Sequence, residues 1–145
     1  MKSILDNGHS WILEKLAYDG DLEIYLKELR RRQPTDLVIG NDVIKNTTLL
    51  KPALDSMRVR ISFDYYLSWQ CLNESACTGF EGDVYDGSGF ISLLSQSSYL
   101  SYILEHHGWY QDVQEQQAKH YRIWSENEVI DIVSFSEPKI ILLNA

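Results

Sequence analysis

Two cysteines and four histidines are the side chains best suited to hold a metal ion or to act as nucleophiles. Five residues separate Cys71 from Cys77, and His106, His107 and His120 follow farther along the chain. Zinc ligands typically come in pairs about two to four residues apart, so this spacing does not predict a metal site. A Cys71–His120 nucleophile is conceivable, but Cys71 lies among large apolar residues that favour a core position. We therefore expect no metal and no cofactor.

Carboxylates near histidine are the other residues that could do chemistry. Glu74 or Asp131, acting with His120 as acid and base, would suit a small hydrolase. Glu74 lies between Asn73 and Ser75, directly after a predicted strand. A turn held by local hydrogen bonds of Asn73 and Ser75 explains the same triplet, and we favour it. The hydrolase is kept as an alternative, and the chain is expected not to be an enzyme.

The negative charge of the chain is concentrated in its middle. No lysine or arginine occurs between Arg60 and Lys119, and these 58 residues carry eight acids and 11 of the 17 aromatic residues. The rest of the chain has 13 acids and 13 bases, so the net charge of -8 arises in this stretch. An acidic, aromatic surface repels nucleic acid and anionic membranes and attracts basic proteins. We expect a protein partner, although an ordinary solvated surface would have the same composition.

Composition predicts a single folded domain spanning residues 1–145, with 44% hydrophobic and 23% charged residues. No apolar run reaches the roughly 18 to 20 residues that a membrane span needs. Asp6, Asn7 and His9 interrupt the start of the chain before an apolar stretch develops, unlike a secretory signal. The expected location is the cytoplasm, where both cysteines would stay reduced.

The N-terminal half predicts antiparallel strands. Asp19-Gly20 lies between apolar runs at 11–16 and 22–27, which indicates a hairpin. A helix over 22–32 is the alternative, because Leu22, Leu26 and Leu29 also share a helical face. Further strands are predicted at 37–39, 42–44, 57–63 and 65–72.

The C-terminal half predicts more strands and one clear helix. Ser97 or Ser98 is a good N-cap, apolar residues follow at helical spacing, and Gly108 is placed to end the helix. Strands are predicted at 80–85, 90–94, 120–124, 129–135 and 140–143. The fold class is therefore α+β, a mostly antiparallel β-sheet with one main α-helix, about 97–107, packed on it. Most aromatic residues of the acidic stretch are expected in the core, with Trp109 and Tyr110 at the surface.

Several short motifs carry a resemblance by their order along residues 57–140. They are Ile61-Ser62-Phe63, Tyr66-Leu67-Ser68, Asn73-Glu74-Ser75, Ser97-Ser98-Tyr99-Leu100, His120-Tyr121-Arg122-Ile123, Val129 to Ser134, and Glu137-Pro138. In this order the chain resembles a family of small bacterial proteins similar to the immunity proteins of toxin systems, including contact-dependent growth inhibition. The resemblance implies a cytosolic inhibitor of one cognate toxin, and it supplies no catalytic residues.

The favoured hypothesis is an immunity protein that covers the active cleft of a basic, nuclease-type toxin. Acids would steer the encounter, and surface aromatics would anchor the complex. The expected partner-binding residues are Glu81, Asp83, Asp86, Trp109, Tyr110, Asp112 and Glu115. A non-catalytic scaffold or a ligand-binding module is the main alternative.

Overall fold

The computed structural model describes residues 1–8, 10–31, 34–48, 50–109 and 115–144, which form twelve strands and one α-helix. The strands are β1 (Ser10–Asp19), β2 (Asp21–Arg31), β3 (Thr35–Ile39), β4 (Asp42–Thr47), β5 (Leu50–Lys51), β6 (Arg58–Phe63), β7 (Tyr66–Asn73), β8 (Val84–Asp86), β9 (Ile91–Gln96), β10 (Lys119–Trp124), β11 (Glu128–Ser134) and β12 (Lys139–Leu142). The helix is α1 (Ser98–His107), and short 3-10 turns cover Ile4–Asn7 and Glu74–Ala76.

The first sheet has the order β1-β2-β6-β12, and β5 pairs with the far end of β2. Gly20 turns the β1–β2 hairpin at φ +82°, a conformation that favours glycine. The predicted hairpin is confirmed, and the helix considered over 22–32 is wrong because β2 pairs with β1 on one side and β6 on the other. The alternating residues Leu22, Ile24 and Leu26 are fully buried, as a half-buried strand requires.

The second sheet has the order β7-β11-β10-β9-β8, and all its pairings are antiparallel. Consecutive strands β6 and β7 therefore belong to different sheets, with the corner at Asp64-Tyr65 between them. Both sheets contribute to one buried core, and the rings of Phe63 and Tyr121 meet across it at 5.4 Å between centroids. Alternation along each strand sends the next residues to the outer face, so β10 and β11 carry His120, Arg122 and Asp131 there.

Helix α1 packs on the outer face of the second sheet. Ile103 lies in a small buried cluster with Val133 and Phe135. The Ser97 hydroxyl accepts a hydrogen bond from the Leu100 N–H and caps the helix, as its sequence predicts. The predicted α+β class, with a mostly antiparallel sheet and one helix, is confirmed. None of the helical segments in the described ranges has the length and apolar character needed to cross a bilayer.

The strand predicted over 80–85 is mostly wrong, because only Val84–Asp86 forms β8. Gly82 adopts φ +87° in a turn, and the N–H of Asp83 donates to the carbonyl of Phe80 at 3.2 Å. This turn folds residues 80–83 over the outer face of the second sheet instead of along its edge, and it thereby places them beside Arg122.

The expectation that most aromatics of the acidic stretch lie in the core is also wrong. Phe63 is fully buried, but five others are exposed: Tyr65, Trp69, Tyr85, Tyr102 and Trp109. The core between the sheets is filled largely by aliphatic residues. Of the five exposed rings, Tyr85 lies on an outer strand face and Tyr102 on the helix surface, while Trp69 lies opposite Ile132 on the edge strand β7. The acidic stretch is therefore rich in surface aromatics, as a binding surface requires.

Candidate functional site

A buried polar network occupies the outer face of the second sheet, with Asp131 at its centre. Asp131 lies opposite Arg122 on β10 and opposite Gln70 on β7, so strand register alone brings the three together. Its carboxylate accepts from His120 Nε2 at 2.6 Å, Arg122 Nε at 2.7 Å and Gln70 Nε2 at 3.0 Å. Burial opposes ionisation of Asp131, but the hydrogen bonds from His120, Gln70 and Arg122 outweigh it and lower its pKa.

Arg122 extends this network to the segment that covers the sheet. Its Nη1 donates to Asp83 Oδ2 at 2.9 Å and to the Tyr85 hydroxyl at 2.8 Å. The guanidinium carbon lies 3.9 Å from the centroid of the Phe80 ring, within cation–π range. Arg122 thus ties residues 80–85 to the sheet, and two carboxylates neutralise its charge.

Ser97, His120 and Asp131 form a chain of hydrogen bonds within this network. The Ser97 hydroxyl lies 2.6 Å from His120 Nδ1, and His120 Nε2 lies 2.6 Å from Asp131 Oδ1. Serine, histidine and aspartate linked by hydrogen bonds in this order also make up the catalytic triads of hydrolases. Here the Ser97 hydroxyl also accepts the Leu100 N–H, and its side chain is nearly buried. The N–H of the next residue, Ser98, is bonded to Asp83 at 3.3 Å and is not free to bind an oxyanion.

These contacts favour a structural role for the chain of hydrogen bonds. The capping serine is held by His120, His120 is held by Asp131, and Arg122 joins Asp131 to the 80–85 segment. A fully satisfied buried network fixes the elements that it joins. Here it joins the start of α1, the central strands β10 and β11, and the turn at 80–83.

A groove of about 450 Å³ lies between α1 and this turn. Its lining residues are Glu81, Gly82, Gln96, Ser97, Ser98, Ser101, Tyr102 and Glu105, and it is called the α1 groove below. The helix supplies Ser98, Ser101, Tyr102 and Glu105 because residues spaced by three, four and seven share one helical face. The α1 groove therefore presents two exposed carboxylates and the 54% exposed Tyr102, and no base is among its lining residues.

The residues predicted to bind a partner are not all on this surface. Glu81 lines the α1 groove, while Asp86 on β8 and Glu115 are exposed elsewhere. Trp109 is 63% exposed and lines a neighbouring hollow with Leu67, Ser68 and His107. Asp83 has a side chain only 2% exposed, bound to Arg122, so it lies in the buried network. Tyr110 and Asp112 fall outside the described residues.

Sequence reasoning missed Tyr102 and Glu105. Their spacing from Ser98 was the available signal for a shared surface. In a helix that buries Ile103, residues 98, 101, 102 and 105 lie on a different face. The rings of Tyr102 and His106 lie 4.6 Å apart between centroids, one helical turn from each other. This contact packs the Tyr102 ring against its own helix.

The predicted hydrolase pair of Glu74 and His120 is not assembled. Both ring nitrogens of His120 are bonded to Ser97 and Asp131. Glu74 is exposed and lines a separate hollow of about 240 Å³ with Trp11 and Trp124. The Asn73 side chain accepts from the Ser75 N–H at 3.0 Å, so the turn predicted for this triplet is confirmed.

The cysteines lie at the edge of the same sheet. Burial raises the pKa of Cys71 to about 11, with a further contribution from Glu128, whose carboxylate lies 3.6 Å from its sulfur. A neutral thiol is a weak nucleophile and a weak metal ligand. Among the described residues, no three His, Cys, Asp or Glu side chains are grouped as metal ligands would be.

The geometry of this face thus consists of a rigid, fully paired polar network beneath an acidic groove with an exposed tyrosine. Comparisons with family models, with curated proteins and with solved structures return no match for the chain.

Proposed function

We propose that this chain is an immunity-type inhibitor that binds a basic protein toxin through the α1 groove and blocks it sterically, without turnover. The observation that carries the proposal is the combination of Glu81, Glu105 and exposed Tyr102 around one groove with no basic lining residue. Arg122, the base on the sheet beneath, is buried and neutralised by Asp83 and Asp131. A cationic surface of a partner would therefore meet the carboxylates of Glu81 and Glu105 without competition from a base that lines the groove.

Charge supports a basic partner and a fast encounter. The stretch from 61 to 118 has eight acids and no base, and the whole α1 groove is built from it. Clustered charge of one sign raises the association rate for an oppositely charged protein, and salt screens the effect over roughly 10 Å at about 0.1 M ionic strength. Nuclease toxins need cationic clefts to hold phosphates, so they fit this chemistry.

Exposed aromatics support a stable complex once the encounter has occurred. Tyr102 lies in the groove, and Trp109 is exposed two residues after the end of α1. Tyrosine and tryptophan are the side chains that most often carry the binding energy of protein interfaces. Both lie on or next to one helix, so a single partner surface could cover them.

Rigidity of the groove also supports binding by occlusion. One wall begins at the Ser97 cap, which His120 holds, and the other is the 80–83 turn, which Arg122 holds through Asp83. Walls that are fixed before binding lose little conformational entropy in the complex, which favours affinity. We propose this as the role of the buried network.

The experiment is a growth-rescue assay with the product of the gene immediately upstream, which this proposal takes to be the toxin. Cells that express the toxin should survive with the wild-type chain and die with the double variant Glu81→Lys and Glu105→Lys. A matched control, Asp42→Lys with Glu137→Lys, changes the net charge equally at exposed sites away from the groove. Rescue by the groove variant equal to wild type, with rescue by the control also intact, would remove the α1 groove from the proposal. Failure of the wild-type chain to rescue would remove the immunity function itself.

A small hydrolase is the second candidate, because hydrogen bonds of 2.6 Å link Ser97 to His120 and His120 to Asp131. Its test is covalent labelling. An organophosphorus probe such as diisopropyl fluorophosphate should modify Ser97 if His120 activates the hydroxyl. A wild-type protein of unchanged mass after prolonged exposure, with a serine hydrolase labelled in the same tube, would exclude this candidate.

A further inference from the structure

A further hollow, at the corner between β6 and β7, is bordered by aromatic rings. Its volume is about 430 Å³, and its lining includes Tyr18, Gly20, Asp64, Tyr65, Tyr66 and Phe135. These residues come from three places in the chain: the end of the β1–β2 hairpin, the corner between β6 and β7, and the residue after β11. It is called the tyrosine hollow below, and it shares no lining residue with the α1 groove.

Backbone hydrogen bonds fix the corner that carries two of the rings. The Phe135 N–H and the Ser134 hydroxyl both donate to the Tyr65 carbonyl at 3.0 Å. The Tyr65 N–H donates to the Ser136 hydroxyl at 3.1 Å. Pairing of Leu22 with Phe63 places the hairpin end beside this corner. The aromatic border is therefore held by the ladders of both sheets.

The rings differ in orientation around the hollow. Tyr18 and Tyr66 lie 6.2 Å apart between centroids at 89°, and Tyr65 and Phe135 lie 5.0 Å apart at 46°. Tyr18 is 67% exposed, so a ligand in the hollow could reach its ring. Several aromatic rings that border one small hollow resemble the aromatic cages by which proteins recognise alkylated ammonium groups.

Charge around the hollow is negative. Hydrogen bonds from Lys139 and Ser136 lower the pKa of Asp64, so its carboxylate is ionised at neutral pH. Asp19 and Asp21 flank Gly20 in the hairpin turn, and Lys139, 2.5 Å from Asp64, also interacts with Asp21. Three carboxylates and one ammonium leave a formal excess of two negative charges here. An anion is disfavoured, and a cation gains both from the rings and from the field.

We propose that the tyrosine hollow binds an organic cation, either a small alkylammonium compound or the side chain of a lysine or arginine from another protein. Ring faces attract the cationic nitrogen and its alkyl groups, and Asp64 with the hairpin acids supplies the charge. This proposal does not rest on the immunity function, because the hollow and the α1 groove are separate surfaces.

The test compares choline with 3,3-dimethylbutan-1-ol, its neutral carbon isostere, by following tyrosine ring resonances of the full chain by NMR. Choline should bind at least about 5-fold more tightly, because only the cation gains from the ring quadrupoles and the carboxylates. Equal binding of the two, or no binding of either choline or the amino-acid probes, would overturn the proposal. N-acetyl-lysine methylamide and N-acetyl-arginine methylamide form the second arm. Tighter binding of one of them than of choline identifies a protein side chain as the source, and the reverse identifies a small molecule.

Variants at Tyr18 distinguish what the aromatic ring contributes to choline binding from what an apolar side chain of similar position contributes. Tyr18→Phe keeps the aromatic face, while Tyr18→Leu keeps an apolar group without it, and the exposed position tolerates both. Choline affinity should be nearly unchanged in Tyr18→Phe and fall about 2- to 5-fold in Tyr18→Leu, as expected for a cation–π contact near the surface. Asp64→Asn should weaken choline but leave the neutral isostere unchanged. Equal affinities in Tyr18→Phe and Tyr18→Leu would contradict the role of the ring.

Discussion

Arg122 and Asp131 face each other across the β10–β11 ladder, with Nε 2.7 Å from Oδ1 and both side chains no more than 1% exposed. Each is ionised, and each has further polar partners, so the pair is the centre of the network that joins α1, the second sheet and the 80–85 segment. Burying such a pair is tolerable only because every charge has a partner, which makes removal of one partner costly.

Replacement of Arg122 by methionine is expected to destabilise the fold strongly. Methionine fills much of the same volume, but it leaves Asp131 and Asp83 buried with less compensation. The free energy of unfolding, measured with urea, should fall by about 3–5 kcal/mol. Arg58→Met is the matched control, because Arg58 pairs with Glu14 at 3.0 Å on the surface and should lose less than about 1 kcal/mol. Equal losses in the two variants would contradict the importance of the buried pair.

The network also predicts how stability depends on pH. The pKa of Asp131 is lower in the folded chain than its ordinary value of 3.8, so the ionised group binds its partners better in the native state than in the unfolded one. Its contribution is present above pH 3.8 and is lost as the pH falls through the lower folded pKa. The difference in unfolding free energy between wild type and Asp131→Asn should therefore shrink as the pH falls below about 4.

Measurement of that difference separates Asp131 from the other 20 acids of the chain. Asp64, whose pKa is also lowered, is present in both proteins and cancels. A difference that grows as the pH falls would mean that the folded pKa of Asp131 is raised. That result would contradict the hydrogen bonds assigned to its carboxylate.

The sequence predicts well which residues of a strand face the core, because apolar residues recur at every second position. Val59, Ile61 and Phe63 on β6 are fully buried, as are Leu22, Ile24 and Leu26 on β2. Period-two patterns are local, so one strand carries the information. The assignment of β6 and β7 to different sheets was not predicted, because nothing in residues 57–72 shows which strands pair with each of them.

The candidate site was predicted only in part, because local sequence patterns do not show which distant residues come into contact. Glu81 and Trp109 are exposed acid and aromatic residues, as expected. Asp83 was expected on the surface with Glu81, but it meets Arg122, 39 residues farther along, and is buried there. His120 and Asp131 were named as a possible pair, while their partners Ser97 and Arg122 follow from register and from the segment that covers the sheet. Pairings of this kind depend on tertiary structure and leave no local pattern.

Ser97 provides a test of structural against catalytic use of the hydroxyl. Ser97→Ala removes the cap from the Leu100 N–H and the partner of His120, and it should lower the free energy of unfolding by about 1–2 kcal/mol. Ser97→Thr keeps a hydroxyl in place and should recover part of this loss. Amide hydrogen exchange in the first turn of α1 should rise in the alanine variant. Unchanged exchange and stability would show that the hydroxyl does not hold the helix.

Cys71 is expected to react slowly with alkylating reagents. A pKa of about 11, against an ordinary 9.0, reduces the thiolate fraction near pH 8 about 100-fold. In a Cys77→Ser background, the rate of reaction with iodoacetamide should be at least that much slower in the native chain than in urea. It should also keep rising with pH beyond 9. A native rate close to the unfolded one would show that Cys71 is neither shielded nor raised in pKa.

Tyr102 is the residue whose loss should weaken the proposed complex without affecting the fold. Tyr102 is exposed on α1, and its ring contacts His106 and His107 of the same helix. Alanine has a high helix propensity, so it should preserve the helix at this position. Tyr102→Ala should leave the urea midpoint within experimental error and lower affinity for the cognate toxin by about 10- to 100-fold, mainly through faster dissociation. Tyr85→Phe is the control, because it removes a hydroxyl that binds Arg122 and keeps an aromatic ring that does not line the groove.

The salt dependence of the association and dissociation rates distinguishes an apolar anchor, which slows dissociation, from electrostatic steering, which speeds association. Tyr102→Ala should change dissociation at every ionic strength, because an apolar anchor is not screened. The Glu81→Lys and Glu105→Lys variant should instead slow association, with the difference from wild type fading between about 0.05 and 0.5 M salt. If both variants altered only association, Tyr102 would not be buried in the complex. The partner would then contact the acids of the α1 groove without filling it.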